Sequence, residues 1–513
     1  MKKRILAILL ASALTATPVS YVFAEEGTTQ SIQTQEIQAQ EVQAQTQEVP
    51  VEQGGVTGGY LDNDLEWNPP VYSDDSIRSA AELPSAYPGS IDAIRAKYPE
   101  PGNQNPYGTC WAFSTMGMAE FDLINKGMAT QGINLSELQL AYFTYNFVQD
   151  PLGGTAGDIA KYYNENTSLK YLNKGGTYQY ALRRLSQWIG PVNESEVPYS
   201  QAADSIQKGV DEKYAYGYDV AHLENAYEIN MKQNQADVKS QIMKHGAAGV
   251  MYYHDDLNMG WNDTLQCYTY HAADVTGGSH AVMIVGWDDN FSKDNFISPN
   301  NNKPSNNGAW LIRNSWGFTQ QYFWMSYESA SLSNTAWVFD FGSKDNYDNN
   351  YQLDGGLETY EASYKTVANL FTTQQKEGVV SESLKAVSLS FAKQSNVAYT
   401  IEIYTDLTNA LDPYSGTKQD AATTTGASAY AGYYTIPLKQ AVTLKPGSTY
   451  AVVVTTDKNA IDVEDGWSES PDPSAANIVY TWERSVSQYN QKSFYLSGGK
   501  FQAMPAGNLR IKA

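Results

Sequence analysis

Two kinds of apolar pattern divide the chain. Residues 110–125 form a mostly apolar stretch of helical length, which predicts a helix. Shorter apolar runs at residues 281–285 and 309–312 are typical of buried strands. The Asn-, Pro- and Ser-rich residues 300–307 predict a surface loop between those strands. These elements together predict a mixed domain over residues 83–342.

A different pattern of apolar and polar residues begins at about residue 345 and continues to residue 513. Apolar residues here alternate with polar or small ones, and Gly and Pro punctuate the segments. The alternating residues are Val387, Leu389, Phe391, Tyr399, Ile401, Ile403, Tyr450, Val452 and Val454. Alternation with frequent turns is the pattern of an antiparallel β-sandwich, so we expect one over residues 345–513. The predicted fold class is therefore α+β, a mixed domain followed by an antiparallel β-sandwich domain.

The N-terminus has the features of an export signal. A basic start precedes a short apolar run at residues 5–14, and Ala24 ends a suitable cleavage site, so residues 1–24 are interpreted as a signal peptide. The apolar run is too short to span a bilayer, and no later stretch is long and apolar enough. We expect a secreted or extracellular protein, with cell-surface association left open and no membrane contact after signal removal.

Residues 25–82 are interpreted as a low-complexity linker or propeptide. Gln, Thr, Glu and Val dominate residues 25–59, which lack the apolar content to bury a core. Aromatic residues return at Tyr60, Trp67 and Tyr72, which indicates a segment that docks onto another part of the chain.

Charge and cysteine content narrow the function classes. Lys and Arg number 34 and Asp and Glu number 56, for a net charge of −22, which argues against a nucleic-acid partner. Only two cysteines, Cys110 and Cys267, occur in 513 residues. Low cysteine use in an exported chain suggests a bacterial source. Two cysteines could form one disulfide, Cys110–Cys267, but the motif around Cys110 described next favours a free thiol.

The segment around Cys110, residues 104–114, reads QNPYGTCWAFS and suits an activated thiol. A cysteine is a strong nucleophile only as the thiolate, which a helix N-terminus and an adjacent imidazolium both favour. Gly108 supplies a turn and Cys110 opens the predicted helix. Gln104 precedes it on the loop, where its amide could donate to an oxyanion together with the backbone N–H of Cys110.

Two further segments supply a base and a group to orient it. Residues 277–287 (GGSHAVMIVGW) place His280 between a glycine turn and a buried strand, where a general base would be held rigidly. Residues 310–317 (WLIRNSWG) carry Asn314, whose carbonyl could accept from the imidazole N–H, and Trp316, which could shield that bond from water.

These three segments, in the order Gln, Cys, His, Asn, resemble the papain family of cysteine proteases. The resemblance implies a two-lobe fold with a helical left lobe and a β-barrel-like right lobe. It implies Cys110 as nucleophile, His280 as acid and base, Asn314 as the orienting residue and Gln104 as oxyanion donor.

The same resemblance extends to the substrate cleft. Residues 135–140 resemble the second helix of the left lobe, and residues 238–253 resemble the strand that enters the right lobe. Gly175 and Gly176 resemble the glycines whose backbone pairs with extended substrate. Met251, Ala281 and Trp316 are the other expected substrate-binding residues, and the first two predict an apolar pocket.

Residues 345–513 resemble the lectin-like domain that follows the protease domain in some bacterial members of the family. The supporting segments are residues 349–354, 368–371, 400–404 and 432–435. The resemblance leaves open whether this domain binds cell-surface glycans or only packs on the protease. No cofactor is expected; the acidic residues 462–465 keep calcium open in this domain, and no His/Cys cluster suggests zinc.

The sequence therefore predicts a secreted papain-like endopeptidase that acts on protein or peptide substrates. Two other hypotheses remain at this stage. One is a catalytically silent surface adhesin on a papain scaffold, which the intact set Gln104, Cys110, His280 and Asn314 argues against. The other is acyl transfer to an amine by the same Cys–His pair. A further hypothesis is that the segment before Leu83 inhibits the enzyme.

Overall fold

The computed structural model describes residues 59–61, 65, 68–71, 83–88, 90–163, 171–317, 320–357, 359–464, 479–483 and 492–513. The predicted signal peptide and most of the predicted linker, including Trp67 and Tyr72, lie outside these residues. None of the helices in the described ranges is long and apolar enough to cross a membrane.

The helices lie in the first half of the described chain. Their bounds are Ile91–Lys97 (α1), Cys110–Asn125 (α2), Glu137–Tyr145 (α3), Tyr178–Ser186 (α4), Ala202–Lys208 (α5) and Gln235–His245 (α6). The helix predicted at residues 110–125 is confirmed at both ends. Residues 135–140, which resemble the second helix of the left lobe, lead into a helix that begins at Glu137. The Ser136 side chain caps the N-terminus of this helix by accepting from the backbone N–H of Gln139.

The strands alternate with these helices and then continue alone. Those before residue 344 are Ala86–Tyr87 (β1), Ile159–Tyr163 (β2), Ala221–Asn230 (β3), Ala248–His254 (β4), Met259–Asn262 (β5), Cys267–Tyr270 (β6), Gly278–Asp288 (β7), Ala309–Arg313 (β8), Tyr322–Ser326 (β9) and Thr335–Ser343 (β10). Those after it are Thr359–Glu361 (β11), Thr366–Thr372 (β12), Glu382–Phe391 (β13), Ala398–Thr405 (β14), Thr417–Lys418 (β15), Thr424–Ala427 (β16), Ala431–Leu444 (β17), Thr449–Thr456 (β18), Asp462–Glu464 (β19), Val479–Glu483 (β20), Ser493–Ser497 (β21), Lys500–Ala503 (β22) and Ile511–Lys512 (β23).

One twelve-stranded sheet passes from the first domain into the second. Its order is β23-β13-β17-β3-β10-β4-β7-β8-β9-β6-β5, with β1 paired to β7. The link between the domains is the antiparallel pairing of β17 with β3, in which Tyr433 faces Ala226. Helix α2 packs against β7 and β10 of this sheet. Helix α2, which begins with the predicted nucleophile Cys110, therefore rests on a sheet shared by both domains.

The second domain is the predicted β-sandwich. Strands β13, β17 and β23 form one layer, and the seven-stranded sheet β15-β14-β18-β12-β21-β22, with β16 beside β14, forms the other. Val387, Ile401 and Val452 are fully buried in the core between the layers, as their alternation predicts. The predicted α+β fold class, a mixed domain followed by an antiparallel β-sandwich domain, is confirmed.

The interpretation of residues 238–253 as one strand is wrong in its first half. Val238 and Ile242 are buried one helical turn apart on α6, and the chain leaves that helix at Gly246, whose φ of +92° is the left-handed conformation that glycine favours. Only Ala248–His254 is strand.

Candidate active site

The predicted nucleophile, Cys110, begins helix α2 at the floor of the cleft. Its side chain is completely buried, and its Sγ accepts a hydrogen bond from the backbone N–H of Ala281 at 3.4 Å. Ala281 follows the predicted base His280 on β7, so the thiol and the imidazole belong to facing walls of one cleft. The helix N-terminus below Cys110 supplies a positive electrostatic end, as the sequence predicts.

The imidazole of His280 is held in one tautomer. Its Nε2 lies 2.8 Å from Oδ1 of Asn314, and because an amide oxygen only accepts, Nε2 carries the proton. The backbone N–H of Ser315 also donates to Oδ1 of Asn314 at 2.8 Å and fixes the amide. The ring of Trp316 stacks on His280 at 4.6 Å. Nδ1 of His280 has no hydrogen-bond partner among the described residues, so its lone pair remains available to a proton donor.

Gln104 is buried beside this pair, and Ser315 orients it. Oγ of Ser315 donates to Oε1 of Gln104 at 2.7 Å, and the backbone N–H of Gln104 donates to the Ser315 carbonyl at 2.9 Å. Nε2 of Gln104 donates to the carbonyl of Tyr107 at 3.0 Å. Ser315 thus links the Gln104 loop to the Asn314 segment, a role that sequence reasoning missed although the residue lies inside the WLIRNSWG motif.

Residues 59–61 occupy the cleft in front of Cys110. The backbone N–H of Gly59 donates to Sγ of Cys110 at 3.2 Å. Leu61 N–H donates to the Gly176 carbonyl at 3.0 Å, and Gly176 N–H donates to the Gly59 carbonyl at 2.8 Å. These two bonds make Tyr60 and Gly176 a parallel bridge. We call residues 59–61 the covering segment.

The two predicted substrate-binding glycines make this approach possible. Gly175 has a φ of +83°, and a Cβ there would lie 2.5 Å from the Gly59 carbonyl oxygen. A Cβ on Gly176 would lie 2.3 Å from the ring of Trp111. Only glycine at both positions leaves room for an extended backbone along this wall.

The side chain of Tyr60 fills an apolar pocket and is only 4% exposed. Met251 and Ala281, neighbours in the pairing of β4 with β7, belong to the same buried cluster; their role in substrate binding stays a prediction. Tyr178 adds a ring 5.4 Å from that of Tyr60. Sequence reasoning missed Tyr178; its place two residues after Gly176 was the available signal.

Burial keeps the predicted catalytic pair neutral in this covered state. It raises the pKa of Cys110 to about 11. The hydrogen bonds from the N–H groups of Ala281 and Gly59 lower this pKa, but by less than burial raises it. It lowers the pKa of His280 to about 3, although the bond to Asn314 acts the other way. Burial therefore favours the neutral thiol and the neutral imidazole in this structure.

The acidic groups considered for metal binding already have partners. Asp462 and Glu464 lie on strand β19 rather than in a loop; Asp462 accepts from the Ser390 hydroxyl and Glu464 from the Gly356 N–H, while residue 465 lies outside the described chain. Asp122, His245 and Asp340 have ligand atoms within 4.8 Å of one another. The ammonium of Lys126 pairs with both of those aspartates, so a cation already occupies the position between them.

Comparisons with known proteins agree with this architecture. A family model described as papain family cysteine protease matches residues 87–337, and one described as lectin like domain matches residues 351–513. The structure of the cysteine protease and lectin-like domains of Cwp84, a surface layer associated protein of Clostridium difficile, is similar with a TM-score of 0.66. The two are 22% identical over 89% of this chain and 92% of that chain.

Two further relatives extend the comparison. A structure of clostridial Cwp84 after propeptide cleavage has a TM-score of 0.63 and 24% identity, over 82% of this chain and 98% of that chain. A curated cysteine protease of Blomia tropicalis is 26% identical over 219 residues, or 42% of this chain. The chain spans about half, 52%, of that relative's length. The resemblance predicted from the sequence is confirmed in both domains.

Proposed function

We propose that this chain, whose residues 87–337 belong to the papain family of cysteine proteases, is an exported endopeptidase held latent by its own covering segment. The observation that carries the proposal is the hydrogen bond between Nε2 of His280 and Oδ1 of Asn314 beside the buried thiol of Cys110. Export rests on the signal-like residues 1–24, and the surface location printed for Cwp84 supports an extracellular site of action.

The chemistry follows from the tautomer of His280. As Sγ of Cys110 attacks a scissile carbonyl carbon, the thiol proton passes to Nδ1 of His280 and the carbonyl oxygen becomes an oxyanion. The Cys110 N–H and Nε2 of Gln104 donate to that oxyanion once the amide turns from the Tyr107 carbonyl. The imidazolium then protonates the leaving amine, which leaves a thioester on Cys110.

Water completes the cycle. Nδ1 of His280 takes a proton from the water that attacks the thioester, a carboxylic acid forms, and the proton returns to Sγ of Cys110. An amine acceptor in place of water would give acyl transfer. Product analysis with and without an added amine distinguishes the two reactions, and we expect hydrolysis to dominate.

The covering segment also indicates the preferred substrate. We infer a preference for a large apolar or aromatic side chain near the scissile bond of the substrate. The buried ring of Tyr60, next to Tyr178 and in the same apolar cluster as Met251 and Ala281, supports this inference.

Mass spectrometry after exposure to an epoxide that alkylates papain-like thiols tests the proposal. We expect little adduct on the full-length chain and one adduct on Cys110 after removal of the residues before Leu83. Cys267 is an internal control, since it is buried and its pKa is raised to about 11 by burial. No adduct on Cys110 in either form would refute an activated nucleophile.

Two variants separate reaction from orientation. Cys110→Ala should abolish peptide hydrolysis without unfolding the chain. Asn314→Ala should lower kcat more than it raises KM and shift the acid limb of the pH profile, because a freely rotating imidazole loses the tautomer set by the Asn314 carbonyl. Asn262→Ala, which removes a buried amide from the β5–β6 turn, is the matched control.

A further inference from the structure

A groove separate from the cleft runs along the boundary between the two domains. A cavity of about 440 Å³ opens between Trp188 and His222 of the protease domain and Tyr347 and Lys376 on the other side. A second cavity of about 460 Å³ shares Tyr347 and Lys376 with the first and continues along the lectin-like domain. Each volume lies within the range of about 300–1,000 Å³ typical of small-molecule sites. We call the two together the boundary groove.

Trp188 holds a strained conformation on one wall of this groove. Helix α4 ends at Ser186, and the Ile189 N–H donates back to the Arg184 carbonyl at 3.1 Å, which places Trp188 at the turn position where glycine is usual. Its φ is +66°, a left-handed conformation that is strained for a non-glycine residue. The fold therefore retains a large aromatic side chain at a position where a glycine would be less strained.

The ring of Trp188 is fixed by a buried histidine. It stacks on His222 with 3.7 Å between ring centroids and an interplanar angle of 8°. His222 is 6% exposed, and its Nε2 lies 2.8 Å from Oδ2 of Asp219. Its Nδ1 has no partner among the described residues, an arrangement that costs free energy unless a further group pairs with it.

The opposite wall and rim are polar and carry both signs of charge. Lys344 and Lys376 are exposed there beside exposed Asp345 and Asp348, and Tyr347 is half-buried. Mixed charge disfavours a polyanion. Apolar and aromatic side chains also line the groove, so a ligand there meets both apolar and polar surface. A rigid aromatic face ringed by carboxylate, ammonium and phenol groups instead suits a ligand with apolar C–H faces and many hydroxyls.

We propose that the boundary groove binds an uncharged oligosaccharide, with Trp188 as the stacking platform and Lys376, Asp348 and Tyr347 as hydrogen-bonding partners of its hydroxyls. The lectin-like domain thereby shares its glycan site with the protease domain rather than carrying it alone. A protease tethered in this way would act on proteins near a glycan-bearing surface. The inference does not depend on peptidase activity.

The test uses the full-length chain on a printed array of neutral oligosaccharides of two to six sugars, with sulfated glycans on the same array. Trp188→Gly is the informative variant, because glycine suits the left-handed backbone and the chain should stay folded. Trp261→Ala is the control, since Trp261 is 43% exposed on β5 and does not line the groove. Calorimetric titration with the strongest ligand then gives the affinities.

We expect neutral glycans to bind, Trp188→Gly to weaken binding at least about tenfold, and Trp261→Ala to leave it unchanged. Peptide hydrolysis by activated Trp188→Gly should equal that of the wild type. The proposal is overturned if no neutral oligosaccharide binds, if sulfated glycans bind in preference, or if Trp188→Gly binds as the wild type does. If the activated wild type bound glycans but did not hydrolyse peptides, only the proposed peptidase function would be contradicted.

Discussion

The backbone N–H of Gly59 donates to Sγ of Cys110 at 3.2 Å. The nucleophile therefore faces a hydrogen-bond donor of the covering segment, and the Gly59 carbonyl is turned away to accept from Gly176. The covering segment therefore lies across the cleft and contacts the nucleophile through a backbone N–H.

Tyr60 anchors the covering segment, so Tyr60→Ala should weaken latency. Its buried ring packs near Tyr178, and its carbonyl accepts from the Ser279 hydroxyl at 2.5 Å. Truncation removes the ring but not the backbone bonds, and loss of a buried aromatic side chain costs several kcal/mol in a core. We expect epoxide labelling of full-length Cys110 to become faster by about tenfold or more.

The control for that change is Val71→Ala, which lies outside the covering segment but also before Leu83. Val71 is 39% exposed, and its carbonyl, which the variant keeps, accepts from the Ser395 hydroxyl and the Asn396 amide. Labelling should stay at the wild-type rate. Equal rates for Tyr60→Ala and Val71→Ala would mean that the aromatic ring does not hold the segment.

Acid should release the covering segment, because burial lowers the pKa of His280 from 6.5 to about 3. Uncovered His280 takes up a proton below about pH 6.5, whereas covered His280 stays neutral until about pH 3. The stability of the covered state is thus complete above pH 6.5 and is lost as pH falls towards 3.

Alkali should act in the same direction through Cys110. Its pKa is raised from 9.0 to about 11, so the uncovered thiol loses its proton first as pH rises above 9. We expect amide exchange at Leu61, corrected for the intrinsic pH dependence, to be slowest between about pH 6.5 and 9. His280→Gln, which cannot be charged, should abolish the acid effect and keep the alkaline one; an unchanged acid effect would assign it to another group.

Gly175→Ala should impair both latency and catalysis. The new Cβ would lie 2.5 Å from the Gly59 carbonyl oxygen, where any extended backbone must pass. We expect faster epoxide labelling of the full-length chain, and kcat/KM of the truncated enzyme about 10–100-fold below wild type. Gly378→Ala is the control, because Gly378 has the same left-handed backbone, with φ +81°, but no atom lies within 4 Å of a Cβ placed there. This variant should change neither the labelling rate nor kcat/KM.

Local patterns were enough to predict the framework of the site. Cys110 at the start of α2 and His280 on β7 follow from local periodicity and turn residues, and the alternation around Val387 predicts its burial. Such patterns specify which face of a strand is buried but not which strand lies beside it. The pairing of β17 with β3, which fuses the domains into one sheet, was therefore beyond sequence reasoning.

The neutral state of Cys110 was missed for a similar reason. The motif around it predicts a thiolate, whereas burial raises the pKa of Cys110 in this structure. The motif does not indicate how deeply the folded chain buries the thiol, nor that Gly59, far away in sequence, contacts it. The sequence around Trp188 also gave no indication of its conformation or its contacts. Its left-handed backbone and its stacking on His222 arise only when α4 and β3 pack together.

The buried carboxylate of Asp354 is predicted to stabilise the lectin-like domain. Its Oδ2 accepts from Arg510 at 3.0 Å and its Oδ1 from Lys512 at 2.8 Å, and all three side chains are at most 2% exposed. Its backbone carbonyl accepts from the Gln187 side chain of the protease domain at 2.9 Å. Asp354→Ala would leave two buried cations without their carboxylate, which costs about 3–5 kcal/mol of unfolding free energy.

The control for Asp354 is an exposed ion pair of the same residue types. Asp420 lies 3.4 Å from Lys418 on the surface, where such a pair contributes about 0–1 kcal/mol, so Asp420→Ala should be nearly neutral. Urea unfolding of both variants measures the difference. If Asp354→Ala shifted the midpoint no more than Asp420→Ala, the two cations must find other partners or lose their charge. Lys512 is then the group to suspect, because burial already lowers its pKa.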